Sequence, residues 1–97
     1  MPVHKAVVSA SIGLHARPAA VFVRAVTETG LPIRIRKEGI DGVDARSLLE
    51  VMTADFECGC EVELSVPDSA AMDPSSLQAA EEALQSLAAL LESQGAH

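Results

Sequence analysis

The chain has 97 residues, enough for one domain and too few for two. Nearly half of them are apolar (48%), so a core can form and disorder is disfavoured. A formal net charge of −7 argues against a general nucleic-acid binder, which needs a basic face, and against residence on an anionic membrane.

Met1 to Ser11 lacks a long apolar region behind a basic start, and no run approaches the ~20 apolar residues of a bilayer span. The only cysteines are Cys58 and Cys60, too few for a disulfide framework. A cytoplasmic, reducing location is therefore expected. The first predicted element is a strand over Val3–Ala10, β-branched and apolar, with adjacent Val7 and Val8 leaving its buried face undecided. Ile12-Gly13-Leu14-His15 breaks the run as a loop. A helix is predicted from Ala16 to Thr29, with Ala16, Ala19, Ala20, Val23 and Val26 on one face, Pro18 in the first turn and Gly30 as the stop.

Leu31 to Lys37 alternates as a strand, with Leu31, Ile33 and Ile35 opposite Arg34 and Arg36. Turn signals at Glu38-Gly39 and Asp41-Gly42 predict a hairpin to a third strand. Asp44 is the expected N-cap of a short helix over Ala45–Ala54. Glu61 to Val66 is the fourth strand, with Val62, Leu64 and Val66 on one face, and Pro67 to Met72 is a loop. Asp73-Pro74 starts a final helix whose stripe is Leu77, Ala80, Leu84, Leu87 and Leu91, with Gly95 at its end. The order is β-α-β-β-α-β-α. It predicts an α+β open-faced sandwich: a four-stranded antiparallel sheet with three helices on one face.

The strongest chemical signal is Gly13-Leu14-His15-Ala16-Arg17-Pro18-Ala19. It sets a histidine where a helix begins. The first N–H groups of a helix lack intrahelical partners and carry partial positive charge, which makes an anion site. A neutral imidazole nitrogen is a nucleophile. A phosphoryl group placed on it would meet the amides of Ala16 and Arg17 and the Arg17 guanidinium. Gly13 is expected to admit a partner's backbone. Taken alone, these residues describe an anion-site candidate, and a solvated surface histidine beside an arginine remains open.

The same seven residues resemble the active-site signature of HPr, the histidine-containing phosphocarrier of the bacterial phosphoenolpyruvate:sugar phosphotransferase system. The resemblance continues through Ala19-Ala20-Val21-Phe22-Val23 and Ala45-Arg46-Ser47-Leu48-Leu49-Glu50-Val51-Met52. It implies that His15 is phosphorylated through Nδ1, that Arg17 assists, that Enzyme I donates and that an Enzyme II A domain accepts. It implies a covalent relay intermediate rather than an enzyme that turns over alone, with no cofactor and no metal. It further implies regulatory phosphorylation at Ser47 by an HPr kinase/phosphorylase, and a docking patch of Leu48, Leu49 and Met52; core residues are the alternative, but a short helix with apolar residues on several sides cannot bury them all, so some exposure is expected. A phosphate on Ser47 would add about −1.5 to −2 charge beside that patch.

The chain departs from the family pattern at Asp55, which stands where a glycine suits a left-handed helix end, and at Ile12, where the family has a small or polar residue. Asp68 to Asp73 and the last helix are longer than usual. Cys58-Gly59-Cys60 lacks redox spacing and is expected to hold structural thiols. A monomer is expected. Two alternatives stay open: a regulatory or nitrogen-related HPr paralogue that signals through protein binding and phosphorylation at Ser47 or His15, and an unrelated small binding domain.

Overall fold

A computed structural model describes residues 3–67 and 73–94. The elements follow in the predicted order: β1 (Val3–Val7), α1 (Ala16–Thr29), β2 (Arg34–Lys37), β3 (Val43–Asp44), α2 (Leu48–Thr53), β4 (Glu61–Ser65) and α3 (Pro74–Ser93). The strands form one antiparallel sheet in the order β1-β4-β2-β3. β4 is thus central although it forms late in the chain. The predicted hairpin joins β2 to β3, pairing Arg34 with Asp44 and Ile35 with Val43.

One sheet face is buried. Ala6, Ile35, Val62 and Leu64 point into the core, where they meet Phe22 and Val26 of α1, Val51 of α2, and Leu84, Leu87 and Leu91 of α3. The other face carries charge: Glu63 lies in register with Lys5 on one side and with Arg36 on the other, 3.6 Å from its guanidinium. The pattern of strands alone left β1 undecided. The structure buries Ala6 and Val8 and turns Val7 outward.

Several predicted boundaries move, each for a local reason. β1 ends at Val7, although Val8 still pairs beyond it: its N–H donates to the Cys60 carbonyl (2.9 Å) and its carbonyl accepts from Gly59 (2.7 Å). β2 starts at Arg34 rather than Leu31, because Pro32 has no amide to offer a ladder and Ile33 turns back to the Leu31 carbonyl. β4 closes at Ser65, two residues before Pro67.

The short helix starts later than expected. Asp44 belongs to β3 and does not cap it. Its carboxylate accepts from the Arg46 amide (2.9 Å) and from Arg46 Nε (3.0 Å), a local turn that outcompetes capping. Ser47 is the N-cap instead, its Oγ accepting from the Glu50 amide at 3.2 Å.

α1 ends as predicted, with Gly30 in the left-handed region at φ 72 and its N–H on the Thr27 carbonyl. α3 also starts as predicted: Asp73 accepts from the Ser76 amide (2.8 Å) and Pro74 opens the helix. Leu77, however, is exposed. A 20-residue helix runs about 30 Å whereas a five-residue strand covers about 17 Å, so the first turn of α3 reaches past the sheet it covers. Most of the Pro67–Met72 loop and Gly95 lie outside the described residues.

Candidate functional site

His15 is the N-cap of α1, with extended backbone (φ −127, ψ 159) and a side chain that makes no capping bond. A Ser, Thr or Asp there would turn inward and occupy the first amides. The imidazole points elsewhere, so the amides of Ala16 and Arg17 have no acceptor among the described residues. Pro18 supplies no third amide. Arg17 is exposed and makes no ion pair among the described residues. It borders an open cleft of about 610 Å³ together with Ile12, Pro18, Val21 and Gln94. Gln94, at the end of α3, donates to the Pro18 carbonyl at 3.0 Å and ties the last helix to the first turn of α1.

Ala16 has φ 50, a left-handed conformation that costs a residue with a β-carbon about 1–2 kcal/mol. The strain falls on the residue directly after His15, where nothing in the alanine-rich sequence announced it. Two tethers hold the approach to it. The Gly13 amide donates to Ala10 (2.8 Å), and the Leu14 amide donates to the Phe56 carbonyl (2.7 Å). Leu14 and Phe56 are both fully buried.

The expectation for Gly13 needs correction. It is buried, with φ 73, and a β-carbon on it would collide with the Phe56 carbonyl oxygen. The backbone that approaches Gly13 so closely is the chain's own, at the loop after α2, and not a partner's.

That loop brings in a side chain that sequence reasoning had not linked to the histidine. Asp55 follows the α2 C-cap with φ 59, the left-handed conformation expected of the residue that replaces glycine. Its Oδ1 lies 2.9 Å from His15 Nε2. The pair sits near the surface, with the imidazole 36% and the carboxylate 60% accessible. Lys37 donates from Nζ to the Asp55 carbonyl (2.7 Å) and lies 5.6 Å from the Phe56 ring centroid. The sequence signal for it is the departure itself, an aspartate where a helix end favours glycine.

α2 separates Asp55 from Ser47. A six-residue helix spans about 9 Å, so Ser47 stands about a helix length from Asp55, and its hydroxyl bonds to the Glu50 amide. Leu48 and Leu49 are exposed, Leu49 at 77%, whereas Met52 is half-buried against the core. Ile12 (55% accessible) and Val21 add exposed apolar surface on the loop before His15 and on α1. Cys60 is half-buried against the core, and Cys58 is exposed with Sγ 3.8 Å from the Ser9 carbonyl, so only Cys60 fits a structural thiol. Among the described residues no helix is long and apolar enough to cross a membrane.

Fold and site together define a class: a small open-faced sandwich that presents a histidine and an arginine at the open amides of a helix start. The family model described as the PTS HPr component phosphorylation site matches residues 3–93. The chain belongs to the HPr family, the phosphocarrier proteins of the phosphotransferase system. It is 42% identical to the phosphocarrier protein HPr of Streptomyces coelicolor over 79 residues, 81% of this chain and 75% of that one. The fold matches that of HPr-C-His from Thermoanaerobacter tengcongensis with a TM-score of 0.78 at 29% identity, covering 100% and 98% of the two chains. A phosphocarrier protein HPr from Bacillus anthracis matches with a TM-score of 0.68 at 32% identity, covering 91% and 93%.

Proposed function

We propose that this phosphocarrier holds its phosphoryl group on Nδ1 of His15, receives it from Enzyme I, which is charged by phosphoenolpyruvate, and passes it to Enzyme II A domains for sugar uptake. The observation that carries the reading is the first turn of α1, where His15 leaves the Ala16 and Arg17 amides open and Arg17 lacks an ion-pair partner among the described residues. Phosphoryl transfer passes through a loose transition state that asks mainly for positioning and charge stabilisation. Two amides and one guanidinium meet the three equatorial oxygens; the imidazole supplies the nucleophile. The donor's bond to phosphorus breaks as the bond to Nδ1 forms, and the next partner reverses the step. The chain thus acts as a covalent intermediate in the cytoplasm, as a single-domain monomer, and does not turn over alone.

Docking falls to Leu48, Leu49 and Met52. The exposure of the two leucines supports this use, because an apolar pair left outside a core is the material of a transient interface. Ser47 borders the patch as the N-cap of α2. Phosphorylation there by an HPr kinase/phosphorylase would put charge at the patch edge and weaken docking.

The test is a relay. The protein is charged with Enzyme I and labelled phosphoenolpyruvate, and an Enzyme II A domain is then added. Label that moves on to the acceptor supports the carrier reading. Label that enters and never discharges overturns it in favour of a signalling role.

A further inference from the structure

We propose that Asp55 is a positioning residue for His15: its carboxylate takes the Nε2–H of the imidazole and leaves Nδ1 as the bare, nucleophilic nitrogen. The inference rests on the reading of His15 as phosphoryl acceptor and adds a residue to it.

The chemistry of the contact fixes its direction. A carboxylate oxygen only accepts, so at 2.9 Å the proton between Oδ1 and Nε2 is the imidazole's. A neutral imidazole has one N–H, and with that proton on Nε2 the lone pair is on Nδ1. Which nitrogen reacts is thereby set by the bond the other one makes.

The contact is built from both sides. On the histidine side, Leu14 is fully buried and its amide is tied to the Phe56 carbonyl. On the aspartate side, Phe56 is fully buried and the Asp55 carbonyl is held by Lys37 Nζ. These ties bracket the pair across forty residues of chain. They also hold Asp55 at φ 59, where glycine would sit more easily. A left-handed aspartate persists where its surroundings over-determine it, and here its side chain has a partner of evident use.

The transfer step balances around this pair. The Nδ1 lone pair forms the new N–P bond while the bond from phosphorus to the donor protein's phosphorylated group breaks, and that electron pair leaves with the donor. Nε2 keeps its proton. The ring therefore gains positive charge as the phosphoryl group arrives, and the Asp55 carboxylate faces that charge from the ring edge away from phosphorus. On discharge the same proton lets the ring depart neutral.

The test compares the intact protein with Asp55→Gly and Asp55→Asn. Asp55→Gly suits the backbone, so it folds, and its thermal midpoint rises. Two readouts then separate positioning from structure. In long-range proton–nitrogen spectra of the uncharged protein at neutral pH, the native ring carries its proton on Nε2, and Asp55→Gly moves it toward a mixture of tautomers. The rate of acceptance from charged Enzyme I falls about fivefold in Asp55→Gly, the loss of a charge-assisted hydrogen bond at a half-exposed site, and less in Asp55→Asn, which keeps an acceptor oxygen. An Asp55→Gly protein with the native ring spectrum and native rate overturns the inference. Failure of the native protein to take label on His15 overturns the parent reading instead, and the ring spectrum, which needs no partner, still decides whether Asp55 sets the tautomer.

Discussion

Gly13 lies directly against the Phe56 carbonyl oxygen, leaving no room for a β-carbon between the loop that carries His15 and the loop that carries Asp55. Gly13→Ala therefore meets two penalties, a left-handed φ of 73 and a backbone overlap that no rotamer relieves. Together they should cost roughly 3 kcal/mol, or about 15 °C in a domain of this size. Gly30→Ala has the same φ but open space around it, so it should cost only about 1 kcal/mol. Urea unfolding of the two variants measures the difference, and equal costs would mean that the overlap is relieved cheaply.

Ser47 caps α2 through its hydroxyl. Ser47→Ala should lose about 1 kcal/mol of stability. Ser47→Asp also caps and should keep the native midpoint. In the proposed function it nevertheless slows charging by Enzyme I, because it places a negative charge beside Leu48 and Leu49. Thermal melts and charging rates on both variants check this pair of opposite effects.

Leu49 is largely solvent-accessible, so Leu49→Glu should change stability by no more than about 0.5 kcal/mol. If it is a docking residue, the KM of Enzyme I for this protein rises about tenfold, equivalent to about 1.4 kcal/mol, with little change in kcat. An unchanged KM would remove Leu49 from the interface.

The amide of Ser76, with help from the Ser75 hydroxyl, holds the Asp73 carboxyl below the usual carboxylate range. The side-chain hydrogen bond from Arg46 does the same for Asp44. A folded-state pKa depressed below the unfolded value contributes stability that is present above the unfolded value, about 3.9 for Asp, and is lost as pH falls through the folded one. Unfolding midpoints should therefore drop as acid is added below about pH 4. Asp73→Asn keeps a capping oxygen without the titration and should flatten part of that drop. Parallel slopes for the two proteins between pH 5 and pH 2 would contradict the assignment.

What the sequence made legible is what repeats locally. The alternation of Val62, Leu64 and Val66 and the Asp73-Pro74 start carry their structure within a few residues. The α1 stripe was legible only in part: Ala19 and Val26 are buried, but Ala16 and Ala20 are exposed, and Phe22, outside the predicted stripe, is fully buried. Boundaries moved where two local signals competed. Asp44 and Ser47 both cap helices, and the Arg46 contact at Asp44 left the cap to Ser47. Leu77 keeps the helical stripe but outruns the sheet. The placement of His15 at a helix start was readable from the seven-residue motif. Its bond to Asp55 was not, because no local pattern encodes a contact across forty residues. The left-handed Ala16 was equally hidden, since alanine is a residue that normally avoids that conformation.

In the proposed function the phosphoryl group rests on one atom, Nδ1 of His15. The most direct measurement is nitrogen and phosphorus magnetic resonance on protein charged with Enzyme I and phosphoenolpyruvate, run beside His15→Ala. The expected result is a single acid-labile phosphorus signal coupled to Nδ1 of His15, with no label on the variant. A signal that persists in His15→Ala, whether on His4, on His97 or as an acid-stable ester on a hydroxyl, would contradict it.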